Sequence, residues 1–158
     1  MRIDAYAQFI ARSNGEWNGL GEFIGNPEGF FDPREFTQIV RQEPFRCFKA
    51  GEPNGKGRIN KSSSWSSEKI EVADDDVYQV CDNLVEKFVP YIDGLIVFKN
   101  KFDVVYQIDV ILYKVGIETN GVFFGERVIE FCHKTGTVIN VNTMLADENG
   151  WDKDLEKV

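Results

Sequence analysis

The chain has 158 residues, 42% of them hydrophobic and 13% aromatic, enough apolar material for one domain around a single core without help from a metal or a disulfide. Its 18 basic and 26 acidic side chains leave a net charge of −8. That charge repels phosphate backbones, so nucleic-acid binding is not expected, and it speeds encounter with a basic partner.

The opening stretch MRIDAYAQFIARSNG carries Asp4, Gln8 and Arg12 where a secretory signal needs an apolar run. No segment approaches the roughly 18 apolar residues of a membrane span. The expectation is a cytoplasmic protein that does not enter a membrane. Residues 5–12, AYAQFIAR, alternate as a first strand, with Tyr6, Gln8 and Ile10 on one face and Ala5, Ala7, Phe9 and Ala11 on the other. A long Gly- and Asn-rich connection follows over 13–30 and carries Trp17. Long ordered loops are often functional.

FDPREFTQIV, 31–40, predicts a short helix. Asp32 can cap the free amides of the first turn and Pro33 suits the first helical position. Phe36, Ile39 and Val40 then share one face. Residues 45–50 predict a strand holding Phe45, Cys47 and Phe48, which runs into a Gly/Pro/Asn turn region. INKSSSWSSEKIEV, 59–72, sets Trp65 among serines, with Ile70 and Val72 on one face. A linker has no use for these apolar residues, so 63–72 predicts a strand paired with 45–50.

Residues 73–92 carry the strongest helical stripe: Val77, Val80, Cys81, Leu84, Val85 and Phe88. One of Asp74, Asp75 and Asp76 caps it, the others suit the positive end of the dipole, and Pro90 ends or kinks it. A further helical turn is placed over DGLIVFKNKF. DVVYQIDVILYK, 103–114, predicts the clearest strand: Val104, Tyr106, Ile108, Val110 and Leu112 form an apolar face, and Val105, Gln107, Asp109, Ile111 and Tyr113 a mixed one. A short strand at 121–124, a helix at 126–136 with Val128, Phe131 and Cys132 inward, and a last strand at 137–145 complete the domain. The element order is then β-α-β-β-α-β-β-α-β. These connections predict an α+β fold over 1–145, with one mainly antiparallel sheet and helices packed on one face. Residues 146–158 form an acidic tail.

The three cysteines, Cys47, Cys81 and Cys132, lack a C-x-x-C spacing. That argues against a disulfide framework or a cysteine metal site, and Cys81 and Cys132 read as buried thiols. His133 is the only histidine. It lies near a helix C-terminus, where partial positive charge is favourable without any catalytic role. GKGR, 55–58, lacks the context of a phosphate loop. The aspartates 74–76 could offer oxygen ligands, yet their place before an apolar helix already accounts for them. Asp109 beside Gln107 is a site candidate or part of a solvated sheet face. Trp65 is either an exposed anchor or an indole folded over the core rim.

The run FDPREFTQIV, then FKAGEP, then SSSWSSE, resembles the bacterial domain-of-unknown-function 4279 family over about residues 5–145. Asp32, Pro33, Phe36 and Thr37 match its helix start. Phe48, Lys49, Gly51 and Glu52 match its turn, and Ser64, Trp65 and Ser66 its Ser-Ser-Trp strand. The 13–30 loop is longer than in the family, and Phe48 stands where a tryptophan is usual. The resemblance implies an α+β fold, no catalytic residues and, by association with polymorphic toxin genes, an immunity role.

The resulting expectation is a non-catalytic binding protein, an immunity protein that neutralises a toxin by protein–protein contact, with no cofactor and no metal. Its partner would be another protein, such as a basic toxin. The candidate partner-binding residues are Trp17, Phe48, Trp65, Asp74, Asp75, Gln107 and Asp109. A carboxylate-based metal-assisted hydrolase and a small-molecule sensor are the alternatives.

Overall fold

The computed structural model describes residues 3–73, 78–115 and 121–146. In chain order the strands and helices are β1 (Ala5–Ser13), β2 (Gly15–Trp17), β3 (Phe23–Gly25), α1 (Pro33–Val40), β4 (Arg46–Phe48), β5 (Ser64–Ser66), β6 (Ile70–Val72), α2 (Val80–Glu86), α3 (Ile92–Lys101), β7 (Val104–Val115), α4 (Glu126–Thr135) and β8 (Thr137–Ala146). The fold is α+β, as expected. Residues 74–77, with the predicted helix cap, and the tail beyond 146 lie outside the described residues.

Alternation fixes the centre of the sheet. Ala5, Ala7, Phe9 and Ala11 of β1 are buried, while Tyr6, Gln8, Ile10 and Arg12 face the other way and are partly exposed. On β7, Val104, Tyr106, Ile108, Val110 and Leu112 are buried in the same core cluster. The two strands run antiparallel from Ala5 opposite Leu112 to Ser13 opposite Val104. The sheet order is β4-β5-β1-β7-β8, and β6 also pairs with β1. The small alanines of β1 leave room for large residues from the helices above them. Phe9 lies 4.5 Å from Phe88 and 6.2 Å from Phe131 between ring centroids.

Several expected elements change form. The sheet is mainly antiparallel, but β7 and β8 are parallel. The connection between them contains α4 and is long enough for a crossover, which needs about a dozen residues. The strand expected at 121–124 is irregular chain within this crossover, and Val122 and Phe124 pack against the core instead. The single strand expected over 63–72 is two. Ser67 interrupts it: its amide donates to the Phe9 carbonyl at 2.9 Å and its hydroxyl accepts from the Phe9 amide at 3.0 Å. One side chain thus replaces a main-chain acceptor, and pairing with β1 resumes at β6.

The helix expected over 73–92 is shorter. Pro90 would clash with the carbonyl four residues back, which belongs to Glu86, the last residue of α2. A 3-10 turn at Val89–Tyr91 leads directly into α3, a full helix where only a turn was placed. The 13–30 connection holds the hairpin of β2 and β3, which forms a separate two-stranded sheet. Asn18 Oδ1 closes the hairpin by accepting from the amides of Leu20 and Glu22, both at 2.9 Å.

Helix α1 begins as expected, with Asp32 capping, Pro33 in the first turn, and Phe36 and Val40 buried. Helix α4 ends on Gly136 at φ 63°, a left-handed conformation that favours glycine. Cys81 is buried, and burial pushes its thiol up to about 12. Cys132 is only half-buried, because Val128, Phe131 and Thr135 occupy the inward positions of α4. His133 is exposed in the last turn of that helix. No helix among the described residues is long and apolar enough to cross a membrane.

Candidate functional site

A groove of about 530 Å³ opens where α1 begins, beside β4 and the loop 49–60. Three local structures build it. The first is the α1 N-terminus. Asp32 accepts from the Arg34 amide at 2.9 Å, which is the cap itself. The same carboxylate receives Arg34 Nη2 at 2.8 Å and Lys49 Nζ at 3.2 Å. The Arg34 guanidinium first, then the Arg34 amide and Lys49, hold the Asp32 carboxyl well below the usual carboxylate range, and Asp32 in turn raises Arg34.

The second is β4. Cys47 is exposed and Phe48 half-buried on the groove wall, with Arg46 stacked 4.9 Å from the Phe48 ring centre. The third is the loop 49–60, which folds on itself. Pro53 bridges Ile59, and Asn54 Oδ1 accepts from the amides of Lys56 and Arg58 at 2.9 and 3.0 Å. Gly51 turns the chain at φ 84°, where a side chain would strain the backbone. Glu52, Asn54 and Asn60 then line the groove.

The groove offers two carboxylates, of which Asp32 is fixed, two cations, two amides, a ring and an exposed thiol. Asp32 stays ionised near neutral pH and both its oxygens are engaged, so it cannot deliver a proton there. The arrangement suits recognition of a mixed-charge surface. Replacing Asp32 by alanine is expected to cost about 1 kcal/mol at pH 7 through loss of the cap. Because the folded carboxyl titrates below its ordinary value near 3.8, its contribution is full above that value. It is lost as the pH falls through the folded value. Denaturant melts of both proteins across pH 7 to pH 2 should show a constant gap down to about 3.8 and a narrowing one below it.

The predicted site residues do not gather in one place. Phe48 lines the groove. Trp17 is 72% exposed on the hairpin, with its ring against Phe23 at 5.6 Å, and borders a shallower hollow of about 340 Å³. Gln107 and Asp109 lie on the sheet face away from the helices. There Gln107 Nε2 donates to Asp109, and Asn140 Nδ2 donates to it from β8 at 3.3 Å. Trp65 is no exposed anchor: it is fully buried, 4.9 Å from Phe36 between ring centroids, with its indole N–H donated to Thr37 Oγ1 at 3.0 Å. Residues Asp74 and Asp75 lie outside the described residues. Among the described residues, no three His, Cys, Asp or Glu side chains group at metal-binding distances.

Sequence reasoning overlooked Arg34, Cys47, Asn54 and Asn60. For Arg34 a signal existed, since a cation two residues after a helix cap can fold back on the capping carboxylate. For the others only the fold of the loop brings them together.

The model of a family described as a domain of unknown function, DUF4279, matches residues 25–146. No curated protein and no solved structure matches the chain.

Proposed function

The chain belongs to the DUF4279 family, a domain of unknown function, and from that premise we propose that it is a non-catalytic binding protein whose partner is another protein. One observation carries the reading. Two signatures far apart in sequence, the Asp32–Pro33 helix start and the Phe48–Lys49–Gly51–Glu52 turn, meet in one groove. The groove's base is locked by capping and loop hydrogen bonds, and the Arg34 guanidinium, held on Asp32, is presented to solvent at 84% side-chain exposure. A pre-formed base with its rim charge already held in place lowers the ordering cost of binding a protein surface. The net charge of −8 would hasten encounter with a basic partner. Within this reading the chain acts as an immunity protein that neutralises a toxin.

Co-expression with a toxin encoded beside its gene tests this. Wild type should relieve growth arrest. The double variant Phe48→Ala/Glu52→Arg should lose the relief while its melting temperature stays close to wild type, because neither position is in the core. Failure of the wild type to relieve arrest would sink the immunity role. Equal relief by the variant would remove the groove from the contact.

A further inference from the structure

Strand β8 is ten residues long and lies at one end of the sheet. Among the described residues no strand pairs with its outer edge. Edge strands are normally blunted by shortness, charge, proline or a bulge. The opposite edge, β4, follows that rule: it is three residues long, begins with Arg46 and is followed by Lys49. Strand β8 does not. Its sequence, TVINVNTMLA, contains no charge and no proline, in a chain where 28% of residues are charged. Large apolar side chains are exposed on both of its faces: Val138 at 51% and Met144 at 42% on one, Val141 at 41% and Leu145 at 79% on the other.

We propose that β8 is a homodimerisation edge, at which a second copy of this chain adds its own β8 antiparallel across a two-fold axis through Val141. The sequence of the strand selects this partner. A two-fold axis perpendicular to the sheet pairs residues lying equally far on either side of the centre and keeps each on its own face. Centred on Val141, the strand is a palindrome in character. Asn140 meets Asn142 of the second copy, amide against amide. Val138 meets Met144, Ile139 meets Thr143, and Val141 meets its own copy. Cross-strand pairs of this kind stabilise a sheet, whereas like charges placed opposite each other destabilise it. A self-pair is the hardest arrangement for a chain of net charge −8, and β8 is a strand where identical copies bring no like charges together. The two sheets would become one continuous sheet with both sets of helices on the same side.

Sedimentation of the full chain over a wide concentration range is the first test. The expected mass is twice that of the 18.1 kDa chain. Val141→Lys, which sets two cations against each other on the axis, should return it to the monomer mass with an unchanged far-UV spectrum. Cross-linking then tests the register in a Cys47→Ser background. Facing residues of antiparallel strands have Cα atoms roughly 4.5–5.5 Å apart, within disulfide range. Val141→Cys should therefore oxidise to a disulfide dimer, and the background protein should not. Val138→Cys should not cross-link with itself, because its copy lies about 20 Å along the strand, but it should cross-link when mixed with Met144→Cys. A monomer at every concentration, including one in which the chain's own residues beyond 146 fill the edge, overturns the proposal. So does a dimer in which Val141→Cys fails to cross-link.

Discussion

Trp65→Ala is expected to lower the stability of the folded chain by about 3–5 kcal/mol, the range for emptying a large aromatic site in a core. Trp65 is among the largest fully buried side chains, packed against Phe36 and set edge-on to Phe88 at 6.4 Å. Phe36 in turn meets Phe9, Phe31, Phe98 and Tyr106, so the void would open where the rings of α1, β1, β5, α3 and β7 converge. A loss of this size is a large part of the roughly 5–15 kcal/mol that holds a domain folded. Trp65→Phe separates the two contributions: it keeps most of the packing and removes the N–H given to Thr37, at a cost of about 1 kcal/mol. Urea denaturation measures both. A change under about 1 kcal/mol for Trp65→Ala would mean that the indole is not where the core places it.

Ser63→Ala carries the second large effect, about 2–4 kcal/mol, for a reason that composition hides. The Ser63 hydroxyl is buried and accepts from two backbone amides, Phe31 and Ala50, each at 3.1 Å. Alanine would leave both amides without this acceptor, at a cost of about 1–3 kcal/mol for the buried Phe31 amide and less for the half-exposed Ala50. Ser63 is also held through its main chain: its amide donates to Ser13 Oγ at 2.9 Å, and its carbonyl accepts from the Ser13 amide at 2.9 Å. Ser66, three residues along, supplies the control. Its hydroxyl donates to the Arg46 carbonyl at an exposed site, so Ser66→Ala should change stability by no more than about 0.5 kcal/mol. Equal effects at the two positions would show that water takes over the amides of Phe31 and Ala50.

The serine-rich stretch is therefore a structural seam. The serines around Trp65 looked alike in sequence because a hydroxyl has no periodic signature. Ser63 and Ser67 point inward to satisfy backbone groups of distant segments, while Ser64 and Ser66 sit on the half-exposed side of β5. The tryptophan among them fills the core, and the site that survives is the groove beside it, built from the helix start and turn that frame this stretch.

What the sequence settled by itself is local. The alternation of β1 and β7 placed their apolar faces, Asp32 and Pro33 placed the start of α1, Gly136 the end of α4, and Pro90 the break after α2. Each is decided by side-chain direction or backbone sterics within a few residues, so a window of sequence contains the cause. Tertiary structure alone decided the parallel pairing of β7 with β8, the place of β8 at the end of the sheet, the burial of Trp65, the bond from Lys49 to Asp32 and the hydroxyl pins of Ser63 and Ser67. These depend on partners far away along the chain. Which distant segment meets which is selected by closing the whole core at once, and no local pattern records that choice.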